Sequence, residues 1–230
     1  MLATVEQLSQ ILIFTDLETE QLEQLLLHSQ VRQYLREEII LHEGEEVPAK
    51  LHALLFGTVQ IKKTAATGKE TILRILPVGE IFAAPALFGD GIAPATVVAQ
   101  ENCQILTVER KALLEAIGRT PELALRIITV LNQRIQLLHN TIHGLVSERA
   151  IVRLARLIQY TMLQYGTNSS SNGQILKMNL PYYQMSRSIG ITYEECVRLI
   201  GSLKPVMIYK RGKITIIDAK ALDEIASGEM

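Results

Sequence analysis

Residues 182–203 read YYQMSRSIGITYEECVRLIGSL, and the reading of this stretch decides the rest of the chain. Apolar residues fall at Met185, Ile189, Ile191, Cys196, Leu199 and Ile200. Gly190 separates two runs with helical spacing, and Ser186 is small. These features suit a helix-turn-helix. Its helices cross near a right angle, so the first needs a small residue where the second approaches. The tight turn favours glycine, which tolerates positive φ. Met185 and Ile189 then face inward from the first helix, Ile191 plugs the turn, and Cys196 and Leu199 face inward from the second. Thr192 is the expected N-cap of the second helix. Pro181 suits the first position of the first helix.

That burial pattern leaves Tyr193, Glu194, Val197 and Arg198 outside. Such N-terminal residues of a recognition helix reach base edges in the major groove. Arg198 can hold guanine O6 and N7 in a bidentate fork, and Glu194 can accept from a cytosine amino group. Being four apart, the two can also brace each other as a solvated pair. Tyr182, Tyr183, Arg187 and Thr192 complete the expected DNA face. Further on, MIYKRGKITIID (207–218) holds two short β-like runs around Arg211-Gly212, the pattern of a two-stranded wing. Lys210, Arg211 and Lys213 on it suit phosphate contacts. Cys196 fits as a small buried hydrophobe.

Upstream, Ala124, Ile128, Leu131, Ile135, Leu138, Ile142 and Leu145 recur at alternating steps of four and three. A narrow seam of period 3.5 suits a partner helix; a helix packed on its own barrel is the other reading. Gly144 and SERA (147–150) interrupt this run, and IVRLARLIQYTMLQYG (151–166) begins a new amphipathic helix. GTNSSSNG (166–173) reads as a polar loop.

From about 31 to 110 the texture is different. Short β-rich runs are punctuated by Gly44, Gly57, Gly68, Gly79 and Gly91, at intervals of 11 to 13 residues. Regular short strands with glycine turns imply an antiparallel sandwich or barrel. AATGKE (65–70) looks like a hairpin tip. Residues 5–28 have helical spacing broken near Thr15-Asp16, with Asp16 a candidate cap.

The chain of 230 residues is long enough for two modest domains, and 48% of it is apolar. Its net charge of −1 hides an asymmetry. Residues 148–230 carry 11 Lys/Arg against 7 Asp/Glu, and residues 1–147 carry 12 against 17. A basic part beside an acidic one fits nucleic-acid binding and also ordinary surface variation. Two distant cysteines, Cys103 and Cys196, make no disulfide framework, so a reducing compartment is expected. His139 and His143 are four apart with no third ligand near in sequence, so no metal site is expected. No leader pattern and no long apolar run stand out, which points to the cytoplasm and away from a membrane. No nucleophile–base set, phosphate loop or metal cluster suggests catalysis, so no enzyme is expected.

The order of parts, strands then seam helix then winged helix-turn-helix, resembles the CRP/FNR superfamily of bacterial transcription regulators over essentially the whole chain. EIILHEGEEVPAKLHALLFGTVQIKKTAATGKETILRILPVGEIF (38–82) is similar to the family's effector β-roll, and IGITYEECVRLIGSL (189–203) to its recognition helix. The resemblance implies an α+β architecture. Residues 1–120 would form an antiparallel, cyclic-nucleotide-binding-like jelly roll with N-terminal helices. Residues 121–147 would form a dimerisation helix, with Ile128, Leu131, Ile135, Leu138, Ile142 and Leu145 as its seam. Residues 148–230 would form the winged helix-turn-helix. It also implies a homodimer on a two-fold-related operator, with RNA polymerase and a small-molecule effector as further partners. In the family a glutamate and an arginine at the positions of Glu194 and Arg198 contact a G·C pair. Tyr193 replaces an arginine of the cyclic-AMP-type members, so the outer base of the half-site is expected to differ. The connection after Leu203 is one residue shorter than usual.

For the effector, the resemblance places a pocket at Phe82, Ala83, Ala84, Ala95 and Thr96, with Arg134 from the long helix. Cyclic-AMP-type members hold the ribose with a glutamate and the phosphate with an Arg-Ser pair. Here Ala84, Pro94 and Ala95 stand at those positions. A buried phosphate without counter-charge costs on the order of several kcal/mol, so cyclic nucleotide is not expected. Iron–sulfur members need about four cysteines, so no cluster is expected either. The helix-turn-helix is similar to that of the cyanobacterial nitrogen regulators, where an arginine matching Arg134 holds 2-oxoglutarate; Arg134 also suits a solvated coil edge. A ligand-sensing dimeric scaffold, its helix-turn-helix touching protein, is the rival reading.

Overall fold

The computed structural model describes residues 2–228, which divide into two compact units between Ile135 and Gln136. The first unit opens with α1 (Val5–Ser9) and α2 (Thr19–Leu26). The cap of α2 is Glu18, whose N–H donates to Gln21 Oε1 at 2.9 Å, and not Asp16. Asp16 lies too early for that and pairs with Arg126 at 2.8 Å.

Eight strands follow: β1 (Ser29–Tyr34), β2 (Ile39–Leu41), β3 (Lys50–Phe56), β4 (Val59–Thr64), β5 (Glu70–Leu76), β6 (Ile81–Phe82), β7 (Thr96–Ala99) and β8 (Cys103–Glu109). A short helix, α3 (Ala84–Phe88), lies between β6 and β7. The strands form two antiparallel sheets, β1-β8-β3-β6 and β2-β7-β4-β5. Leu54, Phe82, Cys103 and Ile105 from the first sheet meet Val59, Leu76, Val97 and Ala99 from the second in one core. The first sheet's other face packs Val31, Leu51, Ala53 and Val108 against Leu8, Phe14, Leu22 and Leu25. Burial on both faces explains why 51–55 (LHALL) reads as a continuous run without alternation. AATGKE is the β4–β5 hairpin tip, with Thr64 opposite Glu70. Glycine is needed at Gly57: φ is +86° there, and a Cβ would stand 2.6 Å from the Asn102 carbonyl.

After α4 (Arg110–Arg119), α5 runs from Pro121 to Ser147. It continues through Gly144, where an interruption was expected. Leu123 and Ile127 join the core of the first unit, with Leu131 packed partly against it. Ile128, Ile135, Leu138, Ile142 and Leu145 are exposed.

The second unit contains α6 (Ala150–Tyr165), β9 (Thr167–Ser170), β10 (Gly173–Leu176), α7 (Tyr182–Ile189), α8 (Tyr193–Ser202), β11 (Met207–Lys210), β12 (Lys213–Ile216) and α9 (Ala219–Ser227). Its sheet has the order β11-β12-β10-β9. Residues 167–176 are therefore a hairpin rather than a loop. β9 is an exposed polar edge strand, so it shows no apolar alternation; backbone pairing through β10 to β12 holds it. α9 was not foreseen. Asp218 caps it, accepting from Ala221 N at 2.9 Å, and Arg156 Nε on α6 donates to Ala226 O.

Candidate functional site

The candidate interface is built on the turn between α7 and α8. Pro181 is the N-cap of α7, one place before the expected position. Gly190 ends the helix in the left-handed region at φ +74°, where L side chains are strained. Ile191 N donates back to Ser186 O at 3.0 Å, which closes the turn. Thr192 caps α8, its hydroxyl accepting from Glu195 N at 3.1 Å.

Met185, Ser186, Ile189, Ile191, Cys196 and Ile200 are buried, Cys196 completely, and Leu199 packs partly against the same core. Burial pushes the Cys196 thiol up to about 11, with the neighbouring Glu195 charge adding to it, so the thiol stays protonated. Thr192, Tyr193, Glu194, Val197 and Arg198 are exposed. Among the described residues no ion pair joins Glu194 to Arg198, so neither is committed to the other.

Three tyrosines connect the parts. The Tyr182 ring lies 5.7 Å from Tyr193, edge-on, and 4.3 Å from Tyr209 on β11. Burial raises the pKa values of Tyr182 and Tyr209. Arg187 lies over the Tyr183 ring at 5.3 Å. The wing forms despite the shortened connection. β11 and β12 turn at Arg211 (φ +50°) and Gly212 (φ +87°), with Lys210 opposite Lys213. Two positive φ values match the twist of a two-residue hairpin. Lys210, Arg211 and Lys213 are exposed.

Sequence reading missed Arg153. Its Nε donates to Ile189 O at 3.2 Å and its Nη1 to Glu148 O at 2.6 Å. One guanidinium thus ties the α5–α6 connection to the last residue of α7. In an amphipathic helix such an arginine reads as solvated, and nothing local marks it otherwise.

In the first unit, Phe82, Ala84 and Ala95 are buried, and Ala83 takes a left-handed conformation at φ +54°. Thr96 Oγ1 accepts from Glu43 N at 3.1 Å. Arg134 is no solvated coil edge. Its Nη2 donates to Ile81 O at 2.5 Å and lies 3.6 Å from Glu80 Oε2. The same carboxylate oxygen holds Arg74 Nη2 at 2.8 Å. Side chains of Arg74, Glu80 and Arg134 are only 15%, 18% and 20% exposed. Neither Arg74 nor Glu80 stood out in sequence. His52, buried 5.4 Å from the Phe82 ring, is held neutral: burial lowers its pKa to about 4.

The architecture is a β-roll, a long helix and a winged helix-turn-helix with an open polar face. Residues 31–120 match the cyclic nucleotide-binding domain family. The cyclic AMP receptor protein of Thermus thermophilus is 26% identical over 180 residues, 77% of this chain and 80% of that one. The CRP-like cAMP-activated global transcriptional regulator of Mycobacterium tuberculosis is 23% identical over 153 residues. That alignment covers 66% of this chain but only 63% of the relative's length. The structure of a CooA mutant from Carboxydothermus hydrogenoformans is similar with a TM-score of 0.74, at 21% identity, over 87% of this chain and 88% of that one. The chain carries the CRP/FNR fold, as the resemblance implied.

Proposed function

We propose that the chain is a sequence-specific, DNA-binding transcription regulator that acts in the cytoplasm as a homodimer. Two copies pair along the exposed seam of α5, Ile128 to Leu145, and set two α8 helices in successive major grooves about 34 Å apart. Arg198 and Glu194 read a G·C pair, while Tyr182, Tyr183, Arg187, Thr192, Lys210 and Lys213 fix register or add contacts. A small molecule at the β-roll, near Phe82, Ala83, Ala84, Ala95, Thr96 and Arg134, adjusts how the seams pair. RNA polymerase is the partner through which output is delivered. Relatives from Mycobacterium tuberculosis and Haemophilus influenzae are named as cAMP-activated global transcriptional regulators, which favours this reading over an enzyme.

The observation that carries the proposal is the division of α8. Cys196 and Ile200 close the core, and the opposite face presents Glu194 and Arg198 to solvent with no ion pair between them. Selection from a random duplex pool followed by gel shifts tests it. Arg198→Ala should lose about 1–3 kcal/mol, mainly at one base pair of each half-site, whereas neutralising Lys213 weakens all sequences similarly. Unchanged affinity and base preference in Arg198→Ala would remove that residue from the reading face. A pool that yields no enriched sequence would leave the protein-contact scaffold in its place.

A further inference from the structure

The outer face of α8 has two chemistries. Glu194 and Arg198 form one ridge. Tyr193 and Val197, also four apart, form the next, and they are 50% and 39% exposed. Side chains at this spacing stack on one strip of a helix. An aromatic and an aliphatic residue therefore make a small apolar ridge beside a polar one. The Tyr193 ring is half exposed yet held: it meets Tyr182 edge-on, and Tyr182 packs on Tyr209 of the wing. Exposed cations stand on the same helix at Arg198 and on the β11–β12 hairpin at Lys210, Arg211 and Lys213.

We propose that Tyr193 and Val197 read a thymine through its 5-methyl group, next to the base pair read by Glu194 and Arg198. This rests on the DNA-reading function above and adds the identity of a second base. The exposed cations of α8 and of the β11–β12 hairpin favour a polyanion over an apolar peptide as the occupant. Among base edges in the major groove, only thymine presents an apolar group. RNA offers neither that methyl nor a major groove that side chains can read. Because the tyrosine contacts hold the ring before binding, little freedom is lost on contact.

The test uses the full-length protein and the duplex selected from a random pool. Each thymine is replaced in turn by deoxyuridine, which lacks only the methyl. One thymine per half-site, adjacent to the guanine identified through Arg198→Ala, should show a loss of about three- to five-fold in affinity. That loss should vanish in Tyr193→Ala and in Val197→Ala but persist in Tyr193→Phe. If Tyr193→Ala fails to fold, Val197→Ala, which leaves the core untouched, carries the test. An enriched operator on which every deoxyuridine is neutral overturns the thymine reading and leaves DNA reading standing. A Tyr193→Phe variant that loses the preference assigns the contact to the hydroxyl and also overturns it. A pool with no enriched sequence instead defeats the DNA-reading function itself.

Discussion

In α8 the charged residues stand outside a closed apolar core, whereas Arg74 and Glu80 of the β-roll and Arg134 of α5 are largely buried together. Water supports Glu194 and Arg198 in the unbound protein, so their removal leaves the fold indifferent and matters only to a partner. The β-roll charges have little water, so each is supported by the others. Glu80 Oε2 is within 4 Å of both guanidiniums, and Arg134 is also anchored on the Ile81 carbonyl. Polar residues on the exposed face of α8 are therefore expected to change binding without stability, and the buried charges of the first unit to change stability first.

The largest effect should come from Glu80→Gln. It removes the carboxylate shared by two poorly solvated guanidiniums, and breaking such a pair costs about 3–4 kcal/mol. Hydrogen exchange followed by mass spectrometry locates the loss. Protection should fall across β3, β5, β6 and the first half of α5, and stay unchanged across α7 and α8. Undiminished protection in β5 and β6 would mean that this cluster is supported by water, and the contrast with α8 would disappear.

The same contrast explains what the sequence revealed. The helix-turn-helix is encoded in one continuous stretch, 182–203, in which burial, turn and exposed face all follow from 3.6-residue periodicity. Gly190 and Thr192 mark its turn and cap because local backbone geometry demands them. The buried charges of the first unit come from β5, the β5–β6 connection and α5, as many as 60 residues apart. No periodicity links Arg74 to Arg134, and an arginine in a strand reads as a solvent-facing position. The β9–β10 hairpin was missed for a related reason, since its partner is β12 and the pairing is made by backbone. Arg153 escaped because its two acceptors are carbonyls, which leave no trace in side-chain pattern.

Acid should sharpen the comparison with a slightly smaller effect. His52 has an ordinary pKa near 6.5 when unfolded and about 4 when folded, lowered chiefly by burial. Between those values the unfolded chain binds the extra proton. The stability linked to His52 is thus full above pH 6.5, declines as pH falls, and levels off below about 4, for a loss of roughly 3 kcal/mol. Urea denaturation at pH 7 and pH 4.5 should show a smaller acid loss for His52→Phe than for wild type. The loss should map to β3 and β6, because the two histidines of the second unit, His139 and His143, are exposed. An equal acid loss in the two proteins would place the sensitivity elsewhere.

The smallest effect lies at the turn of the helix-turn-helix, where the backbone and not charge is at stake. Gly190 has φ +74°, and a Cβ there would lie 3.2 Å from Leu145 Cδ2 at the end of α5. Gly190→Ala should therefore cost about 1–2 kcal/mol, a sum of left-handed backbone strain and crowding. Leu145 is exposed, so its side chain can give way, and strain should account for most of the cost. Two further variants separate the contributions. Gly190→Asn tolerates the left-handed region better and should recover part of the loss. Combining Gly190→Ala with Leu145→Ala removes the crowding and should recover only a few tenths of a kcal/mol, close to the limit of additivity for neighbours. Full recovery in the double variant would show that Leu145 bears directly on the turn. In that case α5 and the helix-turn-helix would share a packing contact at Gly190, beside the Ile189 carbonyl that Arg153 already ties to Glu148.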